Sequence, residues 1–429
     1  MSLSTSLLVF VLLIAHLVSG EFTIPLERRL GPNGKIDYDT EIRHVAAKYA
    51  NHAMAHFKNT GKHHQSVNGT TLRKRAGTAR LDLADNFAWT GEIELGSPAQ
   101  TRWVIFDSGS SDIVMNKGMY NHEDSTTSKD LNKKYSMNYV GGPASGSVYT
   151  DQVTIGGVKV KDVVIADNND VIDGLTGDKR DGILGLAFPW FSGLSDVSEP
   201  NFVDAAKQQK ALQKNVYQMT TRMNGGSTLN IGKIDASEID GDLGWVKVNQ
   251  GDGYWKTDLQ INGKKVTGIV DSGTSFVVAP ADQYTKIMGG IDKLTVKKND
   301  NGEYNGYYKC DDPPVIKFKL AGKETTMSED AMYADQDGDQ CRISIVSING
   351  FNDWIFGSTF LATGSVVFDF DNTRLGFGKQ TWNDSLTATN AEDCWSLYIT
   401  LGFIVTEREL STLGACIDMT SKNIVPNTL

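Results

Sequence analysis

The sequence predicts an all-β protein built as two related lobes, with few and short helices. Three observations carry this expectation. From Ala76 onward the chain consists of short alternating or aliphatic runs broken by Gly, Asn and Asp, the signature of many short strands. The tripeptide Asp-Ser-Gly occurs twice in matching surroundings, as Phe106-Asp107-Ser108-Gly109-Ser110-Ser111 and as Val270-Asp271-Ser272-Gly273-Thr274-Ser275. Each copy is followed later by two apolar residues and a glycine, Ile183-Leu184-Gly185 and Ile355-Phe356-Gly357. One Asp-Ser-Gly is an ordinary turn, because Asp and Ser bond to nearby backbone and Gly tolerates positive φ. Two copies with matching flanks imply an internal repeat that joins two carboxylates across a pseudo-twofold axis.

Taken in chain order, residues 1–20 carry no charged side chain and contain the apolar run 7–15 followed by Ser19-Gly20. This reads as a secretory signal peptide, the run being too short for a membrane span. Residues 21–75 form a basic segment, with ten Lys or Arg against five Asp or Glu and five of the seven histidines. It closes on Arg73-Lys74-Arg75, a run that a secretory endoprotease would cut. The chain's formal charge is −10 and this segment carries +5, so the remainder carries −15. An acidic body with a detachable basic arm argues against nucleic acid as a partner and for a self-masking precursor, the prosegment acting as intramolecular inhibitor.

Strands are expected at 89–95, 101–106, 152–155, 158–165, 228–231 and 259–261. Helices are expected at 201–219, where Phe202, Ala205, Ala206, Leu212 and Val216 recur at near-helical spacing behind Pro200, and at 282–287. A boundary near 235–240 divides an N-terminal lobe, 76–238, from a C-terminal lobe, 239–380. The tail 381–429 differs in character, and its apolar run 397–405 is too short for a membrane anchor. Four cysteines permit three pairings; joining near neighbours, Cys310 with Cys341 and Cys394 with Cys416, is the simplest. Closing the 31-residue separation of the first pair is worth roughly 3 to 4 kcal/mol. No Cys-x-x-Cys spacing suggests a metal, and neither metal nor cofactor is expected.

Two carboxyl groups about 3 Å apart cannot both ionise cheaply, so they share a proton. A water between them can then attack a carbonyl, with Asp107 and Asp271 exchanging the roles of base and acid. Gly109 and Gly273 would let the turns approach, and Ser108, Ser110, Ser272 and Thr274 would orient the carboxylates. Competing chemistries are poorly supplied: there is no Gly-x-Ser-x-Gly, no His-Glu-x-x-His, and His122 is the one histidine after Arg75. Glycosidase carboxylates stand farther apart than a shared pair of turns allows.

Both Asp turns, Gly91-Glu92-Ile93-Glu94-Leu95-Gly96-Ser97-Pro98 before the first, Asp181-Gly182-Ile183-Leu184-Gly185-Leu186, Tyr254-Trp255 and Val367-Phe368-Asp369 together resemble the pepsin-like aspartic proteases. The likeness spans about residues 83–379 and is nearest to secreted or vacuolar fungal forms. It implies the bilobal fold, polypeptide substrates, and Asp107 and Asp271 as the catalytic pair. Ser110 and Thr274 would bond to them, while Ser108 and Ser272 would cross-brace the lobes. Tyr139 would be the tyrosine of the hairpin flap, and Cys310 with Cys341 the disulfide of the C-terminal lobe. Two departures stand out: the flap continues Val140-Gly141-Gly142-Pro143, one residue shorter than usual, and Val114 replaces the customary tryptophan. The expected protein is therefore a monomeric zymogen of an acid endopeptidase, secreted or, alternatively, vacuolar, with acceptors for glycosylation at Asn68 and Asn383. The competing expectation is a non-catalytic binding or inhibitor protein on the same fold.

Overall fold

The computed structural model describes residues 21–29, 38–68, 71, 88–139, 142–172, 179–189, 192–194, 200–223, 225–248 and 253–381. The expected signal peptide, the tribasic run, and the tail with Cys394 and Cys416 lie outside the described residues.

The duplication read from the two Asp turns is present in the strand topology. In the first half, strand Gln100–Asp107 runs parallel to Gly182–Gly185, which pairs antiparallel with Ile113–Met115, which runs parallel to Val158–Asn168. In the second, Lys264–Val270 runs parallel to Trp354–Phe356, which pairs antiparallel with Val277–Pro280, which runs parallel to Gln340–Ile348. The two apolar-apolar-Gly motifs occupy equivalent places: Ile183 and Leu184 lie opposite Ile105 and Phe106, and Ile355 and Phe356 lie opposite Ile269 and Val270. Flanked on both sides, Ile113–Met115 and Val277–Pro280 are apolar at every position and buried throughout.

The strands gather into a thirteen-stranded and a ten-stranded sheet. The first sheet does not stop at the expected lobe boundary. Ile239–Lys247, Ser365–Asp369 and Arg374–Gln380 extend it beyond Val216–Thr220. The Trp255 ring packs on Phe188, Phe368 and Phe370, and Phe188 on Phe370, with centroids 4.5–5.3 Å apart, joining the two halves through apolar contact. Cys310 and Cys341 are bonded, with 5.1 Å between their Cα atoms, and fasten strand Gln340–Ile348 to the chain just after Tyr304–Lys309.

Helix 201–219 is shorter than expected. Asn201 caps it by accepting from the Asp204 N–H, but it ends at Gln208, and Lys210 has a φ of 52°. Val216–Thr220 is instead a fully buried strand held between Ser227–Ile231 and Ser365–Asp369. Two flanking strands decide the conformation of this apolar run against its helical spacing. Helix Ala281–Met288 matches expectation.

The basic segment is ordered by two elements. Strand Phe22–Arg29 inserts between Ser227–Ile231 and Ala88–Leu95, in the middle of the large sheet. Helix Tyr38–Thr60 follows, and the charge reading of this segment passes over its helical period. Ile42, Val45, Ala46, Tyr49 and Ala53 recur at three- and four-residue steps. They are buried in one apolar cluster with Ile269, Phe276, Val278, Ile348, Phe351 and Ile355.

Candidate active site

Asp107 ends strand Gln100–Asp107, and Asp271 directly follows strand Lys264–Val270. The parallel pairing of each strand holds its turn rigid. Leu186 N–H donates to Asp107 O at 2.7 Å, and Asp271 N–H donates to Phe356 O at 3.0 Å. Both side chains are buried, and their carboxyl groups lie within hydrogen-bonding reach of each other.

The glycines explain how the turns come so close. A Cβ on Gly109 would fall 2.3 Å from Asp271 Oδ1, and one on Gly273 would fall 2.2 Å from Asp107 Oδ1. Each carboxylate therefore occupies the space a side chain on the opposite turn would take. Both glycines also donate within their own turns, Gly109 N–H to Asp107 Oδ1 at 2.9 Å and Gly273 N–H to Asp271 Oδ1 at 3.0 Å.

The hydroxyls have the symmetric arrangement that the repeat implies. Ser110 donates to Asp107 Oδ2 and Thr274 to Asp271 Oδ2, each at 2.6 Å. Ser108 and Ser272 cross between the turns. Ser108 Oγ accepts from Ser272 N–H and donates to Val270 O, while Ser272 Oγ accepts from Ser108 N–H and donates to Phe106 O. Ser358 donates to Ser272 O at 3.0 Å, bracing the second turn from below.

A cation from the N-terminal segment completes the site. Lys48 Nζ donates to Asp107 Oδ1 at 2.8 Å and to both oxygens of Asp271 at 2.9 Å. The Tyr49 hydroxyl donates to Asp271 Oδ2 at 2.7 Å. Burial raises the Asp107 carboxyl above its ordinary range, with Lys48 opposing and the neighbouring Asp271 reinforcing the rise. Burial would raise Asp271 as well, but Lys48, the hydrogen bond from Asp107 and the Thr274 hydroxyl hold it below the usual carboxylate range. The Lys48 ammonium, although buried, is kept charged by the two aspartates and rises above its ordinary value. The pair is thus unequal, Asp107 holding a proton more tightly than Asp271.

A family model described as eukaryotic aspartyl protease matches residues 88–380. The chain belongs to that family. It is 32% identical to secreted aspartyl protease 1 of Malassezia globosa over 86% of this chain and 96% of the relative. It is 27% identical to a probable inactive secreted aspartyl protease of the same organism, over 77% and 89%. Camel chymosin is 30% identical over 67% and 80%.

Within this member of the aspartyl protease family, the remaining expected residues fall as follows. Tyr139 ends strand Lys129–Tyr139 opposite Gly142 at the tip of a long hairpin, and its side chain lies outside the described residues. Val114 is buried in a small cluster with Ile105, Tyr135, Val148 and Val164. His122 stacks on Tyr149 with centroids 4.2 Å apart. Among the described residues no group of His, Cys, Asp or Glu is arranged to hold a metal ion.

Three residues at or near the site escaped the sequence reading. Lys48 and Tyr49 lie on helix Tyr38–Thr60, and their helical period was the available signal. Asp112 directly follows the first turn motif and lies outside it. Its buried carboxylate accepts from Ser192 Oγ at 2.6 Å and Gly193 N–H at 2.8 Å, and burial pushes it up to about 6.

Proposed function

We propose that this protein is an acid endopeptidase secreted as a zymogen, with Asp107 and Asp271 as its catalytic pair and residues 21–75 as its inhibitor. The observation that carries the reading is Lys48 Nζ seated on the oxygens of both aspartates. A cation in that position fills the space in which a water would have to be activated, so the helix that brings it keeps the site closed.

With the segment and its Lys48 gone, one aspartate is ionised and the other protonated, and we assign the ionised role to Asp271. Asp271, ionised, takes a proton from a water as its oxygen attacks the substrate carbonyl. Asp107, protonated, donates to the carbonyl oxygen as it becomes negative. A tetrahedral diol results, with no bond to the protein. Its collapse returns one hydroxyl proton to Asp107, while the proton held by Asp271 passes to the leaving nitrogen as the C–N bond breaks. Ser110 and Thr274 keep the outer oxygens oriented, and the crossed serines keep the turns from separating.

Acid supports release. In the docked state, against burial, Lys48 holds the Asp271 carboxyl below its ordinary range. The docked segment therefore holds protons less well than the open site, and falling pH favours the open site. The secreted M. globosa relative and the disulfide agree with a secretory route.

The test is acid incubation of the precursor with denatured protein, comparing wild type with Asp107→Asn. Wild type should process itself and digest the substrate. The variant should keep its circular dichroism and lose about 10³-fold or more in turnover. A wild-type protein that stays intact and inactive from pH 2 to 6, yet binds a peptide bearing a tetrahedral hydroxyl, would instead favour a binding protein.

A further inference from the structure

The start of helix Tyr38–Thr60 fills a pocket that the dyad does not use. Tyr38 is buried, and its hydroxyl donates to Asn305 Oδ1 at 2.5 Å. The Arg342 guanidinium carbon lies 3.7 Å from the Tyr38 ring centroid, and the Phe276 ring stands 6.0 Å away on a tilt. Arg342 does not depend on Tyr38 for its position. Its Nε donates to Asp335 Oδ1 at 2.9 Å and its Nη2 to Asp335 Oδ2, a two-pronged pair that fixes the guanidinium plane.

The walls and the occupant belong to different parts of the molecule. Asn305 and Arg342 sit on the neighbouring strands Tyr304–Lys309 and Gln340–Ile348, and Phe276 immediately precedes Val277–Pro280. All three strands belong to the sheet that leads into Asp271. The occupant belongs to the segment that, on the function proposed above, leaves on activation. A rigid pocket shaped around a phenol is then open to substrate.

We propose that Asn305, Arg342 and Phe276 form a substrate subsite selective for tyrosine. The fixed guanidinium stacks on an aromatic face, so phenylalanine is favoured over leucine. Asn305 accepts from the phenolic hydroxyl, and a side chain without one leaves that buried acceptor unpaired, so tyrosine is favoured over phenylalanine. The distance from the dyad sets the position. Ten helical residues separate Tyr38 from Lys48, a rise of about 15 Å at 1.5 Å per residue. An extended peptide at about 3.3 Å per residue covers that length in roughly four to five residues. The tyrosine should therefore lie four to five residues from the scissile bond.

The experiment uses the full-length protein after acid activation and peptides with a fixed cleavable pair. Tyr, Phe, Leu or Lys is placed at each position from three to six residues on either side. Tyrosine at one position four or five residues away should raise kcat/KM about 10-fold or more over leucine, with phenylalanine between. Asn305→Ala should reduce tyrosine to the phenylalanine level, and Arg342→Gln should remove the aromatic advantage. Both variants should keep the wild-type circular dichroism and thermal transition, which shows that they fold. An active enzyme with no preference at these positions, or a preference that both variants retain, overturns the subsite. Failure to cleave any peptide refutes the protease reading instead. The subsite is then decided by binding of the same peptides to the acid-treated protein, where equal affinity for the Tyr and Leu peptides overturns it.

Discussion

Lys48 is one side chain on which the whole latch turns. Replacing it with methionine leaves two buried carboxylates facing each other without a cation, and losing one member of a buried ion pair typically costs about 3–5 kcal/mol. Lys48→Met should therefore process itself at a higher pH than wild type, read as the pH of half-conversion on a gel. The crossed serines make a second claim at this scale. Ser272→Ala leaves the buried Ser108 N–H without its acceptor and should lower stability by about 1–3 kcal/mol in urea titration. The aspartates, glycines and hydroxyls of the turns were legible because their chemistry lies within six contiguous residues and is written twice. Lys48 was not, since its partners lie 59 and 223 positions away and no local pattern records a contact of that length.

Helix Tyr38–Thr60 adds a titrating face to that latch. His52 is buried one turn beyond Lys48, with Nδ1 3.0 Å from the Tyr254 hydroxyl and rings of Tyr49 and Tyr254 within 6 Å. Burial and Lys48 push it down to about 3, with Asp271 opposing and His64 adding to the fall. Docked, it is neutral; released, it takes a proton near its ordinary value of about 6.5. The released state thus binds more protons between about pH 6.5 and 3, so docking is strongest above that window and weakens as pH falls through it. Glu41 works in the other direction. It is raised by burial while accepting from Ser275 N–H, so it favours docking as it protonates. His52→Gln should flatten the pH dependence of processing between pH 6.5 and 3, measured as log rate against pH. The abundance of histidine was legible in the sequence, but the helix was not, because a charged segment with a helical apolar period was read for its charge. The reverse happened at Val216–Thr220, where a helical spacing was overruled by strands that arrive from positions 227 and 365. A neighbour brought from as far as Ser365–Asp369 leaves no trace in a local window.

At the scale of the molecule, the two-lobed repeat was readable because it rests on paired motifs, whereas the sheet that joins the halves pairs strands distant in sequence, such as Val216–Thr220 with Ser365–Asp369. The disulfide acts within one half. Cys310→Ser with Cys341→Ser should lower stability by about 2–4 kcal/mol and leave the aspartates undisturbed, read by thermal unfolding beside activity at low temperature. The N-terminal segment is attached twice, by the helix over the dyad and by strand Phe22–Arg29 within the large sheet. That strand has an influence beyond inhibition. On the proposed release of residues 21–75, its departure would leave the edges of Ser227–Ile231 and Ala88–Leu95 that it pairs with open. Bare edges of this kind recruit other chains. Residues 21–75 are thus a mould in which the sheet sets, and a chain begun at Ala76 should collect as aggregate, with soluble protein recovered when residues 21–75 are supplied as a separate peptide during refolding.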